Sequence, residues 1–308
     1  MKVVLVGAYG HLGIEILKEL QRAGHTIIAA GRTKRDLQEY ENVSFHKCDV
    51  TDPQSIKGMC HGADVVISTV GLTKASTEET NEQIDYEGNY NLLQEAKSAG
   101  VKYFVYVSVL KADQAPDVPM LETKYRFEQA LVKSCNQTAP THKMHYLIVR
   151  PTGYFYDMIH VFRPIIEKGT VTLLGKKQIH ANVISTKDLA KYIVEHMTVA
   201  NEVHEVGGKE TWSYQEMAEM MFRAAGKKAV IKRVPVFLFD VLAWISHRRK
   251  NGKEALIRFS KWTLTQEMVA GESVGNDSFS EYVSAEFSKD KIPDTNDAKV
   301  GKRAVGHK

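Results

Sequence analysis

The chain has 308 residues, 43% hydrophobic, 25% charged and 9% aromatic, which is enough for a substantial core and excludes a disordered or collagen-like chain. Forty-one Lys and Arg against 37 Asp and Glu give a formal +4, and Ser288 to Lys308 carries +3 of it, so the remainder is near neutral and makes no case for nucleic acid. Three scattered cysteines, Cys48, Cys60 and Cys135, suit neither a disulfide framework nor a thiolate metal site and point to a reducing, cytoplasmic setting.

Taken in chain order, Lys2–Val6 reads as a strand and Leu12–Ala23 as a helix. Strands follow at His25–Ala30 and Val43–Cys48, a helix at Pro53–Met59 and a strand at Val65–Thr69. Glu82–Ala99 is helical, Tyr103–Val109 a strand, Leu121–Ser134 a helix and His145–Val149 a strand. Near-continuous Val/Ile strands are buried on both faces, as a parallel sheet covered by helices requires. The alternation predicts an α/β protein: a Rossmann-type doubly wound parallel sheet with a small C-terminal α/β substrate cap. The expected division is a nucleotide-binding domain over 1–155, a cap over 156–287 interleaved with the last strands, and a disordered tail over 288–308. The opening apolar run ends too early for a secretion signal, and no stretch approaches the ~18 apolar residues of a membrane span.

Gly7-Ala8-Tyr9-Gly10-His11-Leu12-Gly13 directly follows the first strand and opens the first helix. Glycines allow a sharp turn, a close pyrophosphate and tight helix–strand packing, and the helix start offers unpaired N–H groups. In this context the loop predicts dinucleotide binding, the other reading being a tight turn without ligand. His11 either touches the phosphates or simply begins the helix. An NAD-preferring site carries an acid at the end of the second strand. Here that strand runs into Gly31-Arg32-Thr33-Lys34-Arg35, with no carboxylate. Guanidinium forks suit a 2′-phosphate, so NADP is expected over NAD, with Arg32 the main ligand and Arg35 beside it. The other reading is a solvated basic loop.

With this loop joined to Cys48-Asp49-Val50-Thr51-Asp52, Ser68-Thr69-Val70-Gly71 and Val101–Ser108, the sequence resembles the short-chain dehydrogenase/reductase superfamily. More closely it resembles the atypical, NmrA-like branch that includes isoflavone-reductase-like enzymes. The resemblance implies that Asp49 and Val50 lie beside adenine, and that Thr69, Val70 and Gly71 line the cofactor. It also implies that Ser108 is the family's strand-end serine, and that Arg150-Pro151-Thr152-Gly153 leads into the cap with Pro151 and Thr152 at the cofactor.

The superfamily's working pair is Tyr-x-x-x-Lys. Lys124 fits the lysine, but four residues earlier stands Met120, whose thioether exchanges no proton. Tyr125 is about 100° away from Lys124 on a helix and does not replace it. Three alternatives stay open. Lys124 is itself the acid/base, its pKa lowered by burial and cofactor charge; Tyr154, Tyr156 or another cap residue supplies the proton; or the protein turns nothing over and works as a nucleotide-binding sensor or scaffold. Ser108 polarises a carbonyl or caps the next turn.

No histidine or cysteine spacing suggests a metal. Pro235–Ile245, followed by His247-Arg248-Arg249-Lys250, reads as a cap helix over an apolar pocket, the alternative being an interfacial membrane anchor. The expected activity is NADP-dependent hydride transfer to a small, largely apolar carbonyl or enone, with Lys124 and Ser108 as catalytic candidates. The alternative is a non-catalytic NmrA-like NADP(H)-binding regulator or assembly factor, and an epimerase is weaker because it too needs the missing tyrosine. The expected partner is a small-molecule substrate, with no nucleic acid, no stable membrane insertion, and a monomer or homodimer.

Overall fold

A computed structural model describes residues 1–33, 41–72, 76–137 and 143–289. Strand β1 (Lys2–Val6) runs through the glycine loop into helix α1 (His11–Arg22), followed by β2 (Thr26–Gly31), β3 (Val43–Lys47), the short α2 (Pro53–Ile56) and β4 (Val65–Ser68). A wide π-type turn at Glu82–Gly88 then leads into α3 (Asn89–Ser98), β5 (Tyr103–Val107), α4 (Pro119–Asn136) and β6 (His145–Pro151). The second half holds α5 (Phe155–Glu167), β7 (Val171–Leu174), β8 (His180–Ala181), α6 (Thr186–His196) and β9 (Glu202–Gly207). It ends with β10 (Trp212–Ser213), α7 (Tyr214–Ala224), β11 (Ile231–Val234), α8 (Phe237–Arg249), α9 (Glu254–Thr263), β12 (Glu272–Ser273) and α10 (Phe279–Lys289).

Eight parallel strands form the main sheet in the order β12-β9-β6-β5-β4-β1-β2-β3. The order reverses between β1 and β4, the point where open α/β sheets take their ligands. One face is covered by α1 and α6, with Leu12, Ile16, Leu17 and Leu20 packing beside Leu189 and Ile193. Each such side chain contributes about 1.5–3 kcal/mol on burial. The other face is covered by α3 and α4 through Leu92, Leu93, Phe127 and Leu131. A separate core joins α5, α7 and α10 through Phe155, Phe162, Met221, Phe222 and Phe279. The strands β9 and β12 return from this half to extend the main sheet.

Two sequence expectations meet a different structure. Ser288 and Lys289 of the expected tail finish α10, and residues 290–308 lie outside the described ones. Helix α8 does not close over a pocket with its apolar residues. Its small side chains, Ala243 and Ser246, are the buried ones, while Phe237, Leu238, Val241, Leu242 and Trp244 are exposed. No helix among the described residues is long and apolar enough to cross a membrane.

Candidate functional site

The glycine loop divides its work among its three glycines. Gly7 has φ +83°, and a Cβ there would lie 2.4 Å from Thr69 Oγ1. Gly13 has no room at all, since a Cβ would lie 2.1 Å from the Gly7 carbonyl oxygen. Both are needed to fold the loop against β4. Gly10 is different: φ −72° suits any residue, the nearest atom to an added Cβ is 3.4 Å away, and the residue is exposed. Its lack of a side chain keeps open the start of α1, where no side chain caps the helix. The first-turn N–H groups of His11, Leu12 and Gly13 have no acceptor within the helix. An exposed helix start with a positive dipole end and bare glycine is a phosphate cradle, so the loop fits a dinucleotide.

The sheet order separates two halves of the site. On the β2–β3 side, Tyr9 packs edge-on against Gly31, where a Cβ would lie 2.9 Å from its ring. Arg32 follows Gly31 and pairs with Glu79, so the strand end is not free of carboxylate as the local sequence suggested. The acid arrives from a loop 47 residues away. Arg35 lies outside the described residues. Asp49 Oδ1 accepts from the N–H of Thr51 at 3.0 Å and its hydroxyl at 2.7 Å. These bonds, with the more distant Arg32, hold the Asp49 carboxyl below its usual range against the opposing effect of burial. Val50 is buried against Gly88.

On the β4–β6 side, Thr69 donates to the Val6 carbonyl at 3.1 Å, tying the Thr69-Val70-Gly71 turn to β1. Gly71 lies directly over the Lys124 amine, where a Cβ would come within 2.7 Å. Lys124 Nζ is 2.9 Å from Asp85 Oδ1, and the two side chains are 8% and 0% exposed. Asp85 Oδ2 also accepts from Asn81 at 2.9 Å and from the N–H of Leu72 at 3.2 Å. Burial alone would lower the Lys124 pKa, but the Asp85 carboxylate and the Tyr106 hydroxyl outweigh it and raise it. The Asp85 carboxylate thus favours the charged form of the Lys124 amine.

The row Met120–Lys124–Glu128 runs along the buried face of α4 at one residue per turn. Ser108 donates its hydroxyl to Glu128, and Glu128 accepts two further bonds at Oε2 and one at Oε1 from Arg150, at 3.2, 2.7 and 3.2 Å. Arg150 reaches on to Asp113 at 3.0 Å and Glu205 at 3.3 Å. The Ser108 hydroxyl thus donates into a buried ion-pair network in this structure. Tyr125 turns its ring toward Arg150, with 5.9 Å between guanidinium and centroid. Tyr106 lies 5.5 Å beneath Lys124 and is fully enclosed, so no substrate reaches its hydroxyl.

At the end of β6, Pro151 is buried in the sheet, and the Thr152 hydroxyl donates to the Asn182 carbonyl at 2.7 Å. This seats α5, which starts beside the glycine loop. The Tyr156 ring stacks on His11 at 4.2 Å between centroids and on Tyr154 at 5.6 Å. Burial pushes the next residue, Asp157, up to about 6, with His160 and the Tyr156 hydroxyl pulling the other way. Burial and Asp157 raise the Tyr156 phenol above its ordinary value. Among the described residues no group of three side chains could hold a metal, and burial pushes all three cysteine thiols up to about 12.

Residue reasoning missed Asp85, Asn81, Asn89, Glu79 and Asp157. The Asn81–Asp85–Asn89 spacing of four was a usable signal, because it places three short polar side chains on one helical face that must bury them. Asn89 indeed accepts from Ser68 at 2.6 Å and donates to the Asp85 carbonyl at 3.0 Å.

Among known proteins, the chain is 26% identical over 270 residues to the photosystem II assembly factor Ycf39 of Synechocystis sp., covering 85% of this chain and 76% of that one. It is 26% identical over 259 residues to the chloroplastic divinyl chlorophyllide a 8-vinyl-reductase of Arabidopsis thaliana, covering 78% of this chain and 61% of the relative. Among solved structures, the NADPH complex of the Escherichia coli quinone oxidoreductase QOR2 superposes with TM-score 0.68 at 18% identity, over 93% of this chain and all of that one. The Bacillus cereus UDP-glucuronic acid 4-epimerase with NAD gives 0.70 at 16%, over 94% and 99%. These structures share the fold. With the profile of the NAD(P)H-binding family matching residues 7–199, across the glycine loop, the Lys124 helix and α6, the chain belongs to that family.

Proposed function

We propose that the protein is an NADP-dependent reductase of a small, largely apolar carbonyl or enone, and that its proton comes from the cap side and not from α4. The observation that carries this reading is the Tyr156–His11 stack at 4.2 Å, which brings the start of α5 against the nucleotide loop, with Asp157 the next residue along the helix. Asp157, pushed up to about 6, changes protonation near neutral pH, as a general acid must.

When bound, the reduced coenzyme supplies the hydride. Gly7, Gly10 and Gly13 leave the start of α1 open for its diphosphate, with Tyr9, His11 and Leu12 around it. Arg32, and Arg35 in sequence, hold the 2′-phosphate, with Asp49 and Val50 at the adenine side. Thr69, Val70, Gly71, Pro151 and Thr152 line the other half. Lys124 acts there as a fixed positive charge beneath Gly71. Asp157 passes its proton outward, directly or through Tyr156.

A second reading, an NADP(H)-binding regulator or assembly factor, is supported by a different observation. All three dehydrogenase positions are otherwise engaged: Met120 stands for tyrosine, Lys124 is locked on Asp85, and Ser108 is bonded to Glu128. Likeness to Ycf39 agrees with it. The test is NADPH consumption with quinones, enones and aldehydes, run on the natural protein and on Asp157→Asn. The reductase reading expects turnover that falls about 100-fold in the variant. NADPH binding in calorimetry with no turnover on any acceptor moves the assignment to the second reading, and no binding of either reduced coenzyme overturns both.

A further inference from the structure

Helix α8 carries two apolar rows on its outer surface, each spaced i, i+4, i+7. One is Phe237, Val241 and Trp244, and it ends one turn later in Arg248; the other is Leu238, Leu242 and Ile245, and it ends in Arg249. At about 100° per residue these rows share a face about 160° wide. Phe237 is 60% exposed and Trp244 57%. An exposed contiguous apolar face of this kind marks an interaction site.

Its electrostatic setting says what covers it. Residues 227–261 contain ten Lys and Arg and only two acids, Asp240 and Glu254, a net +8 in a chain whose whole formal charge is +4. Both acids are already satisfied within the protein. Asp240 pairs with Lys261 at 2.6 Å, and Glu254 with Arg258 at 2.9 Å and His247 at 2.7 Å. Arg248 lies over the Trp244 ring at 4.9 Å, and Arg249, Lys250 and Lys253 are exposed with no carboxylate partner among the described residues. A second copy of this face would meet it with like charge and be repelled. A surface that is apolar within and anionic at its boundary matches both features.

We infer that α8 docks this protein onto a lipid bilayer rich in acidic headgroups, with its two apolar rows entering the interface and Arg248, Arg249, Lys250 and Lys253 meeting the phosphates. Thirteen residues make a helix about 20 Å long, so it lies in the interface and does not span. The inference is independent of whether the protein catalyses hydride transfer.

The test is flotation of the full-length protein with vesicles of phosphatidylcholine alone or with about 40% phosphatidylglycerol. Binding is expected to the acidic vesicles only, and to weaken as salt rises. Arg248→Glu with Arg249→Glu is expected to reduce partitioning about 25-fold or more, at roughly fivefold per cation lost from the surface. Leu242→Ser with Trp244→Ser should also release the protein. Both pairs are exposed, so unchanged circular dichroism and melting show that the fold survives. No binding to acidic vesicles overturns the inference. So does equal binding by both variants, which would place the contact elsewhere, and so does a natural dimer that Leu242→Ser with Trp244→Ser converts to monomer.

Discussion

Lys124 and Asp85 form an ion pair of 2.9 Å sealed beneath Gly71, with neither side chain appreciably exposed. The lysine is held inward by a carboxylate from the wide turn. Removing one partner of such a pair leaves an uncompensated buried charge, at a cost of about 3–5 kcal/mol. Asp85→Asn should therefore lower stability by that order in urea denaturation. Asp85→Asn with Lys124→Met should recover much of the loss, because no charge is then left alone. The Lys124 pKa is raised above its ordinary 10.5, so the stabilisation is complete below that pH and disappears as pH rises through the folded value. Unfolding midpoints measured from pH 7 to 11 should fall only at the alkaline end, and an inflection near neutrality would contradict the pairing.

Two of the loop glycines, Gly13 and Gly10, should separate by experiment. Gly13→Ala drives a Cβ to 2.1 Å from a backbone oxygen and should destabilise by several times the ~1 kcal/mol gained from helix propensity. Gly10→Ala meets nothing closer than 3.4 Å and should melt within a few degrees of the natural protein, yet lose NADPH affinity about 100-fold or more. Calorimetry on Gly10→Ala that matches the natural protein would remove the phosphate from this helix start.

The legible parts of the chain were those whose physics is local. Continuous β-branched and aromatic residues in Val65–Ser68 and Tyr103–Val107 told of strands buried on both faces, and the glycine spacing told of the loop. Met120 lies one turn before Lys124 on α4, as helical counting required. What stayed hidden depended on contacts distant in sequence. Glu79 reaches Arg32 across 47 residues, and Glu128 accepts the Ser108 hydrogen bond across 20. The period of α8 was readable, but period alone does not say which face meets protein. Ala243 and Ser246 let the helix pack by its small side, which turned the apolar rows outward.

The Ser108–Glu128–Arg150 network yields unequal mutational costs. Ser108→Ala removes one neutral donor from a carboxylate that keeps three bonds to Arg150, so about 1 kcal/mol is expected. Glu128→Ala leaves the Arg150 guanidinium with only Asp113 and Glu205 and takes the acceptor from the Ser108 hydroxyl, so about 2–3 kcal/mol is expected. If Ser108→Ala instead spared stability but abolished NADPH consumption, the serine would be a substrate donor after all.

Asp157 has a pKa raised from 3.8 to about 6, so the native state prefers it protonated. For a carboxyl shifted upward the cost of ionisation is absent at low pH and grows as pH rises between those two values. Asp157→Asn should match the natural protein near pH 3.5 in chemical denaturation. At pH 8 it should be more stable by up to about 2 kcal/mol, discounted for the partial exposure of the site. Turnover by the natural protein should fall as pH rises through about 6, and the variant's residual rate should lack that inflection.

The Arg32–Glu79 pair makes coenzyme preference a competition. Both side chains are partly solvated, at 65% and 32% exposure, so the pair itself adds at most about 1 kcal/mol and a dianionic 2′-phosphate can displace the carboxylate. Arg32→Ala should cost NADPH 10- to 100-fold in affinity and leave NADH nearly unchanged, because only the phosphate ester uses the guanidinium fork. Glu79→Gln acts in the opposite sense: it frees Arg32 and removes a nearby negative charge, so NADPH should bind several-fold tighter. Paired fluorescence titrations give a signed prediction for each variant. Tighter NADH and unaltered NADPH in Glu79→Gln would make Glu79 irrelevant to the phosphate and return Arg32 to the role of a solvated surface cation.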